Sequence, residues 1–178
     1  MLNLYFVALV IPPPFQQWID EIRMEMADKF NCRHALKTVP HITLQPPFKS
    51  ESAGTEILNC LKPLSEMNHP LCVSTTGFDS FDNRVAFIDV KVTDELKNTQ
   101  RYTHQLLAER KIVPLNCRPF HPHITLAHRD LNPVFLPEIK HLVEQKEIKW
   151  MFEVNAVTLL IHQNGKWQST GEVSLVES

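Results

Sequence analysis

The pentapeptide Pro40-His41-Ile42-Thr43-Leu44 recurs unchanged as Pro122-His123-Ile124-Thr125-Leu126, 82 positions later, close to half the chain length. A five-residue identity of this kind arises by chance in about one chain in a hundred, and self-similarity at a wide separation is the mark of duplicated structural units. Successive side chains of a strand point to opposite faces, so His41 and Thr43 share one face while Ile42 and Leu44 share the other. The same division separates His123 and Thr125 from Ile124 and Leu126. If the apolar faces pack on helices, the His/Thr faces look into a cleft or into solvent. Two such strands related by an approximate twofold would set both pairs on opposite sides of one groove.

The rest of the chain supplies material for two lobes. Residues 5–11 read as a strand, followed after Pro12-Pro13-Pro14 by a helix with Trp18, Ile19, Ile22, Met26 and Phe30 at helical spacing. Residues 41–45 form a short strand closed by Pro46-Pro47, and Ile57, Leu58 and Leu61 mark a second helix before Pro63. Strands at 71–78 and 84–92 meet in a hairpin at Asp82-Asn83. Thr93 or Asp94 caps a helix burying Leu96, Thr103, Leu106 and Leu107. A strand at 122–127 precedes a helix opened by Asn132-Pro133 and carrying Ile139, Leu142 and Val143. Strands at 153–162 and 167–176 flank the Asn164-Gly165 turn. This order of short strands, hairpins and helices predicts an α+β fold with largely antiparallel sheets, and the absence of a low-complexity linker makes residues 1–178 one domain.

Charge and composition narrow the function. The formal net charge is −2 and the pI about 6.5, so no global basic field exists to hold long duplex nucleic acid. A short RNA end or a small phosphorylated ligand is compatible. The apolar opening run lacks a basic leader and stops at the prolines, and no stretch approaches the roughly 20 apolar residues that span a bilayer; no membrane association is expected. Cys32, Cys60, Cys72 and Cys117 show no paired spacing, which fits buried thiols in a reducing cytoplasm, two disulfides in an exported protein being the alternative. Gly54, Gly77, Gly165 and Gly171 form neither a phosphate-cradling loop nor a nucleophile elbow.

Histidine titrates near neutrality and serves as general acid or base, and a threonine hydroxyl can donate to phosphoryl oxygens. Around the catalytic candidates His41, Thr43, His123 and Thr125 stand weaker ones. Phe48 and Phe120 can stack on a nucleobase, and Arg118 and Arg129 can meet phosphate. His121 shares a strand face with His123 and either reaches the groove or shapes the approach to it. His128, at odd spacing from His123, should point elsewhere. His34, His69, His104, His141 and His162 read as surface or packing residues. A zinc site of His121, His123 and His128 is the rival constellation, but it explains neither the threonines nor the second copy.

The two copies of His, hydrophobic, Thr, hydrophobic, with the opening segment Leu4-Tyr5-Phe6-Val7-Ala8-Leu9-Val10-Ile11-Pro12-Pro13, resemble the 2H phosphoesterase superfamily, which includes the 2′-5′ RNA ligases and RNA 2′,3′-cyclic phosphodiesterases. The resemblance implies a bilobal, pseudo-twofold fold of two antiparallel sheets with helices on the outer faces. It also implies a metal-independent, cofactor-free site between the lobes of a cytoplasmic monomer, acting on RNA ends or small cyclic or 2′-5′ nucleotides. By family analogy His123 is the base and His41 the acid, the opposite assignment remaining open. Many 2′-5′ RNA ligases continue Leu-Ala-Arg after the second motif; this chain has Leu126-Ala127-His128-Arg129, which shifts that arginine's role to Arg129. RNA cyclic phosphodiesterase, 2′-5′ ligation, 2′-5′ oligoadenylate cleavage and hydrolysis of a cyclic ADP-ribose phosphate all remain open, as does a non-catalytic RNA-end or nucleotide-binding module with the same fold.

Overall fold

A computed structural model describes residues 2–115 and 119–176. In chain order the elements are β1 (Asn3–Val10), α1 (Phe15–Phe30), β2 (His41–Ser50), α2 (Gly54–Leu61), β3 (Leu71–Phe81), β4 (Val85–Val90), α3 (Asp94–Glu109), β5 (His123–His128), α4 (Leu136–Glu144), β6 (Met151–Val154), β7 (Ala156–Gln163) and β8 (Lys166–Ser174). The strands lie in the order β6-β3-β4-β5-β2-β1-β7-β8, and every pairing is antiparallel.

The sheet has two halves that mirror one another outward from the centre, and the repeated pentapeptides form the two central strands. The halves join where β2 meets β5 at Ile42↔Ile124. Behind that seam the helices cross over, α1 packing against β5 and α3 against β2. Ile42, Leu44, Ile124 and Leu126 project into this layer at 0–1% exposure and share one core with Ile19, Met26, Leu96 and Leu107. Each such side chain contributes on the order of 1.5–3 kcal/mol by leaving water, so the apolar half of each repeat ties the lobes together.

Local chemistry explains most boundaries. Asp82 and Asn83 take φ of 46° and 55°, and Asn164 and Gly165 take 52° and 76°, the left-handed pairs that close two-residue hairpins. Thr93 caps α3 by accepting a bond from the Leu96 amide at 3.2 Å. Asn132 accepts from the Val134 amide at 3.1 Å at the head of a short 3-10 turn, and α4 begins only after it, at Leu136.

Three expectations need correction. Residues 153–162 are not one strand: β6 pairs with β3 and β7 with β1, in opposite halves, with only Asn155 between them. A single linking residue requires the sheet to curl so that its halves approach. The prolines do not close β2, which runs on to Ser50; the β1 register shifts twice between Tyr5 and Ala8, and β5 pairs with β2 only through Ile42, so Pro46 and Pro47 interrupt no regular ladder. On α1, Trp18 is 41% exposed while Arg23 is 1% exposed, so an arginine occupies part of the buried stripe. Of the described cysteines, all free, Cys32 is buried, Cys60 half-buried and Cys72 exposed; Cys117 and Arg118 lie outside the described residues. Among the described residues no helix is long and apolar enough to cross a membrane.

Candidate active site

Antiparallel pairing through Ile42↔Ile124 sets His41 level with Thr125 and Thr43 level with His123. All four side chains are half-buried on the face opposite the helices. The two histidines are held in the same way: Nδ1 of His41 bonds the Val39 carbonyl at 2.7 Å, and Nδ1 of His123 bonds the His121 carbonyl at 2.7 Å. A carbonyl only accepts, so each Nδ1 carries hydrogen and each Nε2 is left to titrate at the groove. Among the described residues neither threonine hydroxyl has a hydrogen-bond partner, leaving both free to donate.

Aromatic rings bracket each imidazole. Phe6 lies 4.8 Å from His41 and 4.6 Å from Trp167, while Phe81 and Phe87 each lie 5.0 Å from His123, centroid to centroid. Phe6 on β1 and Phe87 on β4 are the neighbours of the motif strands, so the bracket obeys the same twofold. Desolvation disfavours the imidazolium. Burial lowers His41 to about 4, the neighbouring Arg23 adding to the effect. Burial also lowers His123, and there the charge of Asp89 works in the opposite direction. Asp89 accepts a 2.8 Å bond from His121 and a 2.9 Å bond from Thr76, so His121 is an exposed bridge between Asp89 and the carbonyl that orients His123.

Two cavities flank the motif strands and share Thr43 and Pro47. The first, of about 570 Å³, is lined by His123, Phe48 and Phe120 and, among the described residues, by no Lys, Arg, Asp or Glu. Phe120 is half-buried there, whereas Phe48 is 9% exposed and packs on Tyr5 at 6.1 Å, making it chiefly a core residue. The second, of about 540 Å³, is lined by His41 and Thr125 together with Arg23, His34, Lys37, His128, Arg129 and His162.

His128 is therefore on the groove, against the parity argument. Ala86 pairs with Ala127 and Phe87 with Thr125, so Leu126 is an extra residue on β5; this bulge sends both Leu126 and Ala127 into the core and returns His128 to the His123 side. Its ring meets that of His34 edge-on at 4.7 Å, which moves His34, and likewise His162, from the surface-or-packing class to the groove. Burial, then His34 and Arg129, lowers His128 to about 4. The zinc constellation does not form: His128 faces the opposite end of the groove from His121, and no group of three metal-capable side chains exists among the described residues.

Arg23 is the residue that periodicity concealed. Its Nε and Nη2 donate to the Thr125 carbonyl at 3.0 and 2.6 Å, and its Nη1 donates to the Thr38 carbonyl at 2.9 Å and pairs with Asp20 at 3.3 Å. It thus braces the motif-strand backbone of one lobe from a helix of the other. Desolvation lowers it to about 10, the Asp20 charge opposing, so it stays a cation at neutral pH.

Two matching His-x-Thr strands set side by side across the centre of a pseudo-twofold antiparallel sheet define a two-histidine phosphoesterase class of architecture. The sequence matches the 2′-5′ RNA ligase superfamily over residues 11–166, and the chain belongs to that superfamily. Membership supports a phosphodiesterase or ligase function. E. coli LigT in apo form is similar in fold at 17% identity, with a TM-score of 0.66 over 99% of each chain. The protein TT0787 of Thermus thermophilus is similar at 18% identity, with a TM-score of 0.64 over 99% of this chain and 100% of that one. No curated protein matches the sequence.

Proposed function

We propose that the protein is a metal-independent phosphodiesterase or ligase acting on 2′,3′-cyclic or 2′-5′ linkages of RNA ends or small nucleotides, with His41 and His123 as its two proton-transfer groups. The observation that carries this reading is the matched pair of Nδ1 bonds, which leaves two titratable Nε2 atoms on neighbouring strands at one groove. In hydrolysis, one Nε2 takes the proton of the attacking water as its oxygen bonds phosphorus. The other gives a proton to the sugar oxygen as its bond to phosphorus breaks. Each assisted transfer contributes roughly 10²- to 10⁴-fold. Thr43 and Thr125 donate to the non-bridging oxygens, where negative charge concentrates. Ligation is the same path reversed.

Local electrostatics favours His41 as base and His123 as acid, the reverse of the family analogy. His41 is the more strongly held neutral, with the Arg23 charge behind it, whereas Asp89 supports protonation of His123. A small nucleotide suits cavities of this size, and solved structures of E. coli LigT are described as complexes with ATP, NADP+ and 3′-AMP. The free thiols Cys32, Cys60 and Cys72 support a reducing cytoplasm, and the protein is read as a monomer there.

A nucleoside 4-nitrophenyl phosphodiester tests the roles, because nitrophenolate leaves without a proton. His123→Ala should keep at least about a tenth of wild-type turnover on it, while His41→Ala should lose about a hundredfold or more. The opposite pattern would exchange the roles; near-normal turnover by both variants would remove the mechanism.

A further inference from the structure

The two ends of the groove carry different charge. Arg23, His34, Lys37, His128 and Arg129 line the end beyond His41, and among the described residues no Asp or Glu lines it, in a chain whose formal charge is −2. Among the described residues neither Lys37 nor Arg129 has a carboxylate partner, although eight other Lys, Arg and His side chains do. The adjacent carboxylate, Asp130, is engaged by backbone: its Oδ2 accepts from the Arg33 and His34 amides at 2.7 Å each. That clamp fixes the 3-10 turn bearing His34 and Lys37 against the end of β5 bearing His128 and Arg129. Arg129 is held at φ 59°, a left-handed conformation that a non-glycine residue does not adopt without cost. A cavity walled on both sides by cations that no carboxylate pairs with suits an anion. The opposite end, with Phe48 and Phe120, suits the face of a base.

We propose that the cationic end is a second phosphate subsite, so that the protein takes nucleotides bearing, besides the phosphate held between the two motifs, another phosphate one ribose away. The proposal rests on the reading of the central groove as the phosphodiester site. Lys37 and Arg129 supply the charge, and His34 and His128 offer ring N–H donors. The second phosphate belongs either to a free 5′-monoester or to the next diester of an RNA chain; the chemistry recognised is the same.

Calorimetric titration with adenosine 2′-monophosphate and adenosine 2′,5′-bisphosphate tests this without requiring turnover. Wild type should bind the bisphosphate about tenfold or more tighter. In a Lys37→Ala/Arg129→Asn double variant, asparagine being chosen because it tolerates the φ at 129, the ratio should fall to about twofold or less. A ratio near one in wild type, or an advantage that survives the double variant, overturns the subsite. Comparing kcat/KM for 2′,3′-cyclic nucleotides carrying a 5′-phosphate or a 5′-linked nucleotide then separates the sources: a larger gain from the monoester assigns mononucleotides, and an equal gain assigns RNA ends. Loss of catalysis with the affinity ratio intact would fault the proposed reaction and leave the subsite standing.

Discussion

The groove beyond His123 and the groove beyond His41 start from the same pentapeptide, the same Nδ1 bond and the same aromatic bracket, yet among the described residues one continues into a pocket lined by Phe48 and Phe120 without a charged side chain and the other into a cationic one. Duplication fixes what lies at the centre, where, in the proposed reaction, a phosphodiester would present similar oxygens to both sides. The unduplicated segments, from His34 to Lys37, around Phe120, and from His128 to Asp130, fix what lies beyond it, where the two arms of a nucleotide differ. The proposed chemistry is thus symmetric and the proposed recognition is not.

The symmetric part breaks most visibly at the histidines. His41→Ala and His123→Ala should each lower kcat/KM on a cyclic nucleotide by about a hundredfold or more with unchanged circular dichroism; a loss below tenfold in either would mean the two strands are not equivalent partners. Arg23→Met tests the brace beneath the cationic end. It strands the Thr125 and Thr38 carbonyls and the Asp20 carboxylate, at a cost of about 3 kcal/mol, or roughly 6–12 °C in Tm; an unshifted melting curve would show that the brace carries no stability.

The apolar end separates two phenylalanines that the sequence treats alike. Phe120→Ala should raise KM about tenfold through lost stacking while leaving Tm nearly unchanged, and Phe48→Ala should mainly lower Tm, because its ring is packed on Tyr5. A smaller effect tests the asymmetry in protonation. The kcat/KM profile should rise through about 4, where His41 loses its proton, and decline above the His123 pKa, which lies below the ordinary 6.5. Asp89→Asn removes charge that favours the protonated acid, so the declining limb should move to lower pH and turnover at pH 7 should fall about threefold. A limb that moves up or stays in place would exclude Asp89 from tuning His123.

The legible part of this structure is local. Period-two alternation in each pentapeptide determines which side chains enter the core, and it places all four His and Thr side chains on the groove face because the β5 bulge begins only after Thr125. His128 escaped the same argument because the bulge at Leu126 is a property of the β4–β5 register, which no residue of β5 announces. Arg23 was hidden because an arginine on an amphipathic helix ordinarily faces water, and its acceptors, the Thr125 and Thr38 carbonyls, are distant in sequence or backbone. The division of residues 153–162 was invisible because Asn155 interrupts alternation without a glycine or proline, and only the pairing of β6 with β3 and β7 with β1 reveals it.

In the proposed reaction two histidines on duplicated strands open a phosphodiester between them without a metal ion. The most direct test is turnover, in excess chelator, of the four nucleoside 2′,3′-cyclic monophosphates and a cyclic-phosphate-ended RNA by wild type, His41→Ala and His123→Ala. Chelator-resistant hydrolysis that either substitution abolishes is the predicted result, whereas activity that disappears with the chelator and returns with zinc, or that survives both substitutions, would contradict it.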